Sequence, residues 1–122
     1  MTRLEFLEDT IKYYSEDTSR RCLDGGFCLY SPINACNNNS EGCAIGRHLT
    51  PKLQLLLDKT ENNSSVGNGK VFKKLPKWMR ELGQDFLSDM QELHDEEYNW
   101  DEGGLTELGK ERVQEIKSEY NL

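Results

Sequence analysis

Residues 20–49 read RRCLDGGFCLYSPINACNNNSEGCAIGRHL, and this stretch decides the fold. It holds all four cysteines, a Gly25-Gly26 turn signal and the tight run Gly42-Cys43-Ala44-Ile45-Gly46-Arg47-His48. Residues 21–23 and 27–30 are β-prone, and Asp24-Gly25-Gly26 joins them as a hairpin turn. Residues 31–42 contain Pro32, four asparagines and two serines, the composition of an irregular loop. Residues 43–49 fit either a strand or the first turn of a helix, and the local sequence does not choose between them.

Outside this segment the pattern is helical. Thr2 and Glu5 form a capping box, after which Leu4, Leu7, Ile11 and Tyr14 fall on one stripe, predicting a helix over residues 3–15. Thr50-Pro51 is a capping residue followed by a proline at the first helical position, so a short helix over 50–58 buries Leu53, Leu56 and Leu57. Residues 59–70, KTENNSSVGNGK, are expected to be a long polar loop, mobile or folded over a ligand. Pro76 opens the strongest stripe, Met79, Leu82, Phe86, Met90 and Leu93, widened by Trp78 and Leu87; it predicts a helix over 76–97. Gly103-Gly104 breaks the chain, and Thr106 starts a helix over 106–120 using Leu108, Val113, Ile116 and Tyr120. The expected fold is α+β and predominantly helical. Four helices and a small β-hairpin between the first and second make a single domain over residues 1–122.

Composition narrows the function. The chain has 122 residues, 35% of them apolar and 30% charged, with 15 basic against 22 acidic residues and a net charge of −7. So thin a core is commonly completed by a partner subunit, and a homodimer is expected. Duplex nucleic acid and membrane surfaces are disfavoured by the charge. A small anionic ligand is compatible with it, because a few arginines suffice to hold a phosphate. No apolar run approaches the roughly 18 residues of a membrane span, and residues 1–14 read as an acidic amphipathic helix rather than a signal peptide. A cytoplasmic location with reduced thiols is therefore expected.

The cysteines at 22, 28, 36 and 43 are separated by five, seven and six intervening residues, without the close pair that a structural zinc knuckle uses. Burial of Cys28 and Cys43, with Cys22 and Cys36 nearer the surface, is the favoured reading. Zinc held by distant cysteines with His48 is the alternative. Cys43 could be a nucleophile if a helix dipole lowered its pKa and His48 served as base, but Ala44 and Ile45 point to burial. Arg47 and His48 together suggest an anion-binding corner, to which Arg20 and Arg21 could add charge. The plainer reading has Arg47 cap a helix end or pair with Asp95 or Glu96. Residues 94–102, HDEEYNWDE, fail as a calcium loop, since Trp100 stands where the glycine belongs and Thr106 where the glutamate belongs. Phosphate-loop, dinucleotide and nucleophile-elbow signatures are missing, and no cofactor is expected.

The hairpin from Cys22 to Tyr30, the Gly42–Arg47 run and the later Leu93-His94-Asp95 with Trp100 resemble small uncharacterised proteins of bacteriophages and prophages. The Asn37-Asn38-Asn39 stretch departs from that pattern. The resemblance implies an accessory protein of the host cytoplasm, of a kind that often antagonises host defence by gripping a protein or sequestering a nucleotide signal. The leading expectation is a non-enzymatic binding protein. Its surface would join Arg21, Arg47 and His48 to His94, Asp95 and Trp100, and its target would be a small anionic, nucleotide-like ligand. A host defence protein held by the acidic C-terminal surface is the second reading. An enzyme using Cys43, His48 or His94, or a zinc-stabilised module, completes the set.

Overall fold

The computed structural model describes residues 1–21, 23–24, 27–34 and 40–122, with the side chains of residues 24, 27, 28 and 34 excluded. Among these residues the architecture is predominantly helical, with six α-helices and two short antiparallel hairpins. Helix α1 (Arg3–Glu16) starts in the anticipated capping box: the Glu5 amide donates to Thr2 Oγ1 at 3.1 Å, and the Thr2 amide to Glu5 Oε1 at 2.9 Å. Its buried face is Phe6, Leu7, Thr10 and Tyr14, while Leu4 is exposed and Ile11 half-buried. Phe6 takes the place expected for Leu4 because its ring packs against both His48 and Phe86.

Strand β1 (Leu23–Asp24) pairs with β2 (Phe27–Cys28), Leu23 opposite Cys28 and Asp24 opposite Phe27. The hairpin lies where expected, with shorter strands; its Gly25-Gly26 turn and the asparagine run lie outside the described residues. Residues 43–49 are neither strand nor α-helix. They form a tight turn ending in a 3-10 segment, Gly46–His48, with the Cys43 amide bonded to the Leu29 carbonyl at 2.9 Å. A Cβ on Gly46 would overlap the backbone of Tyr30, so only glycine allows the two segments this approach.

Helix α2 (Pro51–Lys59) is capped by Thr50 as expected, but it buries Gln54 and Leu57 and leaves Leu56 exposed. Gln54 faces inward because its amide donates to the carbonyls of Gly46 at 2.8 Å and Glu41 at 3.0 Å. The polar stretch 59–70 is anchored to the core. It contains a 3-10 turn at Thr60–Asn62 and a fully buried Val66, whose amide donates to Gln91 Oε1 at 2.8 Å. Asn68 then caps α3 (Gly69–Phe72), which sequence periodicity had not suggested.

The expected long helix is two, α4 (Lys77–Arg80) and α5 (Gln84–Asp95), broken at Gly83. Gly83 has φ +99°, and Arg3 Nε donates to the Leu82 carbonyl left free by the break, at 2.7 Å. The stripe crosses the break undisturbed, with Met79, Leu82, Phe86, Leu87, Met90 and Leu93 all buried. A second hairpin, β3 (Trp100–Asp101) with β4 (Gly104–Leu105), occupies what had read only as a glycine break. Helix α6 (Glu107–Glu119), capped by Thr106, buries Gly109, Val113 and Ile116 and leaves Leu108 outside. Among the described residues no helix is long and apolar enough to cross a membrane.

Candidate functional site

The residues singled out in the sequence separate into two clusters, one against α1 and one at the end of α5. In the first, Arg47 Nη1 bonds the carboxylate of Asp9, and its guanidinium carbon lies 3.9 Å from the centre of the Tyr13 ring. Arg20 shares that ring at 4.7 Å and donates to the Tyr13 carbonyl at 2.9 Å. Arg47 therefore pairs with Asp9, four helical positions from Tyr13 on the same α1 surface, and not with Asp95 or Glu96. Its Nε is buried without a hydrogen-bond partner among the described residues. His48 sits between the rings of Phe6 at 4.9 Å and Trp78 at 6.0 Å.

A guanidinium has no acceptor, so the 3.2 Å contact of Arg47 Nη1 with His48 Nε2 assigns a neutral imidazole carrying its proton on Nδ1. Burial, reinforced by the Arg47 charge and only partly opposed by Asp9, lowers the His48 pKa from 6.5 to about 4. The unfolded chain then binds the extra proton first, so stability is full above pH 6.5 and falls as pH drops towards 4. The loss expected across that window is about 2–3 kcal/mol from this group. Urea midpoints between pH 7 and pH 4 check it: in His48→Phe the slope should flatten, and an unchanged slope refutes the assignment.

The second cluster terminates α5. Trp100 Nε1 donates to the Leu93 carbonyl at 2.7 Å, joined there by Asn99 Nδ2 at 3.2 Å. Arg21 Nε reaches the His94 carbonyl at 2.7 Å and its Nη2 the Asp95 carbonyl at 2.9 Å. Three successive carbonyls without helical partners are thus satisfied by the side chains of Arg21, Asn99 and Trp100, from the ends of two 3-10 turns. His94 Nδ1 donates to Asp95 Oδ1 at 2.6 Å, its ring lies 4.8 Å from that of Tyr14, and burial lowers its pKa. His94 is 0% and Trp100 6% exposed, so both rings lie inside the fold.

Cys43 is fully buried, with its Sγ 3.4 Å from the Gly46 amide. Cys22 and Cys36 lie outside the described residues, as does the side chain of Cys28. Among the described residues no three His, Cys, Asp or Glu side chains gather as a metal-binding set.

Two surface features stand apart from these clusters, a groove that escaped the sequence reading and the acidic C-terminal surface already legible in it. The first is a groove of about 330 Å³ between the 3-10 turn Glu97–Asn99 and α6, lined by Glu92, Tyr98, Leu108, Glu111, Arg112 and Glu115. Tyr98 and Leu108 are more than half exposed. Arg112 is engaged at one side by Asp89 at 2.8 Å and Glu115 at 3.2 Å. The available signal was Glu107, Glu111 and Glu115 at four-residue intervals on one helix. The second is charge segregation. Residues 84–122 hold twelve Asp and Glu against three Lys and Arg, whereas residues 1–83 hold ten against twelve. Comparison with family models, curated proteins and solved structures returns no match to this chain.

Proposed function

We propose that this is a non-enzymatic binding protein that grips a basic protein surface through the groove beside α6. The observation that carries the reading is a carboxylate rim, Glu92, Glu111 and Glu115, around an exposed tyrosine and leucine. Apolar and aromatic anchors surrounded by charge are the anatomy of a recognition surface, and the surplus of acid in residues 84–122 would steer a cationic partner towards it. The alternatives are weakened by placement. Cys43 is buried, which disfavours a nucleophile, and Arg47 is already neutralised by Asp9, which disfavours an anion sponge built on it. The likeness to phage and prophage accessory proteins suits a host factor as the partner.

The test compares wild type with the double variant Glu111→Lys, Glu115→Lys as baits in host lysate. Both glutamates are exposed, so the melting temperature should stay near wild type. A basic partner should be retained at low salt, released at high salt and bound at least about tenfold more weakly by the variant. Equal retention by both baits refutes the groove. A small molecule found in native mass spectra of the wild type, with no protein partner, would revive the ligand-sequestering reading.

A further inference from the structure

A second surface lies on different elements and carries the opposite charge. Residues 70–80, KVFKKLPKWMR, hold five cations and no anion in a chain of net charge −7. Val71, Leu75 and Met79 are buried at four-residue intervals, which turns Lys70, Lys73, Lys77, Trp78 and Arg80 outward as exposed residues. The ion pairs recorded there, Lys70 with Glu61 at 3.3 Å and Lys77 with Glu81 at 3.9 Å, are solvent-exposed and readily exchanged for another anion. Of the two tryptophans, Trp78 is the one that reaches solvent, at 37% against 6% for Trp100. The His48 ring stands nearly perpendicular to it at 6.0 Å, bracing the indole from within the fold.

We propose that the α3–α4 ridge binds single-stranded nucleic acid, with Lys73, Lys77 and Arg80 meeting phosphates and Trp78 stacking on a base. Cations three or four residues apart beside an exposed aromatic ring are what a strand with unstacked bases recognises. A duplex hides its base faces, and its wide polyanionic cylinder would be repelled by a molecule that is acidic overall. A membrane would need an apolar face to insert, and the apolar residues of this segment other than Trp78 and the half-buried Phe72 point into the core. The ridge is independent of the acidic groove, so either surface can fail without the other.

The experiment is a fluorescence-anisotropy titration of labelled oligothymidylate and oligouridylate of about twelve nucleotides with the full chain. Binding should appear at low salt, weaken steadily with added salt and fall at least about tenfold in Lys73→Glu, Lys77→Glu. The oligonucleotide should quench tryptophan emission in wild type but not in Trp78→Phe, where Trp100 alone remains. Glu111→Lys, Glu115→Lys should bind as well as wild type or better. Circular dichroism confirms that each variant is folded. The proposal is overturned if anisotropy does not change, or if the charge-reversed ridge binds equally. It is also overturned if the ridge variant loses only co-sedimentation with phosphatidylserine vesicles, or only salt-sensitive self-association in the centrifuge. Those results would reassign the ridge to a membrane or to a second copy of the chain.

Discussion

Phe86→Ala should lower stability by about 3–5 kcal/mol, the largest loss expected from any single truncation in this core. Phe86 is fully buried at the meeting of three helices. Its ring lies 6.1 Å from Phe6 of α1 and 5.3 Å from Tyr120 at the end of α6, both edge-on, with the Arg3 guanidinium 5.7 Å from its centre. Truncation removes the transfer free energy of the ring and also leaves a cavity. That cavity cannot close, because Arg3 is held by the Leu82 carbonyl and Tyr120 by Asp89 at 2.6 Å. Urea unfolding followed by circular dichroism measures the loss. A midpoint within experimental error of wild type would mean that the stripe on α5 does not form the core.

Gly46→Ala is expected to cost about 3–4 kcal/mol although it adds a single methyl group. The added carbon would collide with the carbonyl, Cα and carbonyl carbon of Tyr30, and backbone cannot rotate aside as a side chain can. Tyr30 is also fixed elsewhere: its amide donates to Asp58 Oδ1 at 2.7 Å, and its hydroxyl donates to the Ser64 carbonyl at 2.8 Å and accepts from Gln91 Nε2 at 3.0 Å. Relief therefore requires moving the turn at 43–49 and breaking the amide contact of Gln54 with the Gly46 carbonyl. The prediction is a large fall in thermal midpoint, accompanied by loss of the Arg47–Asp9 pair that the turn positions. A variant melting within a few degrees of wild type would show that this close approach is not required.

Helix starts were legible because they are local. Thr2 with Glu5, Thr50 with Pro51 and Thr106 each satisfy their own first amides within a few residues, so the composition states the geometry. The break at Gly83 was hidden by the stripe around it, since α4 and α5 turn the same face to the same core and the periodicity runs through. Long-range partners were not legible. Arg47 had several carboxylates in reach of a plausible fold, and only the packing of the 43–49 turn against α1 selects Asp9. His94, Asp95 and Trp100 looked like a polar site because their types are those of sites. The bonds made there serve the unpaired carbonyls at the end of α5, Arg21 meeting those of His94 and Asp95 and Trp100 that of Leu93. Trp78 shows the converse, counted with the core stripe from its spacing yet partly in solvent. Burial of one or two helix positions at a stripe's edge depends on neighbours that periodicity does not contain.

Helix α1 touches several separate parts of the molecule. Arg3 holds the end of α4, Phe6 meets α5, Asp9 anchors the 43–49 turn, and Tyr14 bonds the Gly42 carbonyl at 2.8 Å while meeting the Trp100 ring. A hub of this kind makes the chain hard to dismantle in parts. Fluorescence of the deeply placed Trp100 and helicity of the whole should disappear in one cooperative step, without a stable half-molecule between. Amides in the middle of α1 should exchange with solvent only through complete unfolding, and a protease fragment lacking residues 1–16 should retain no ordered core.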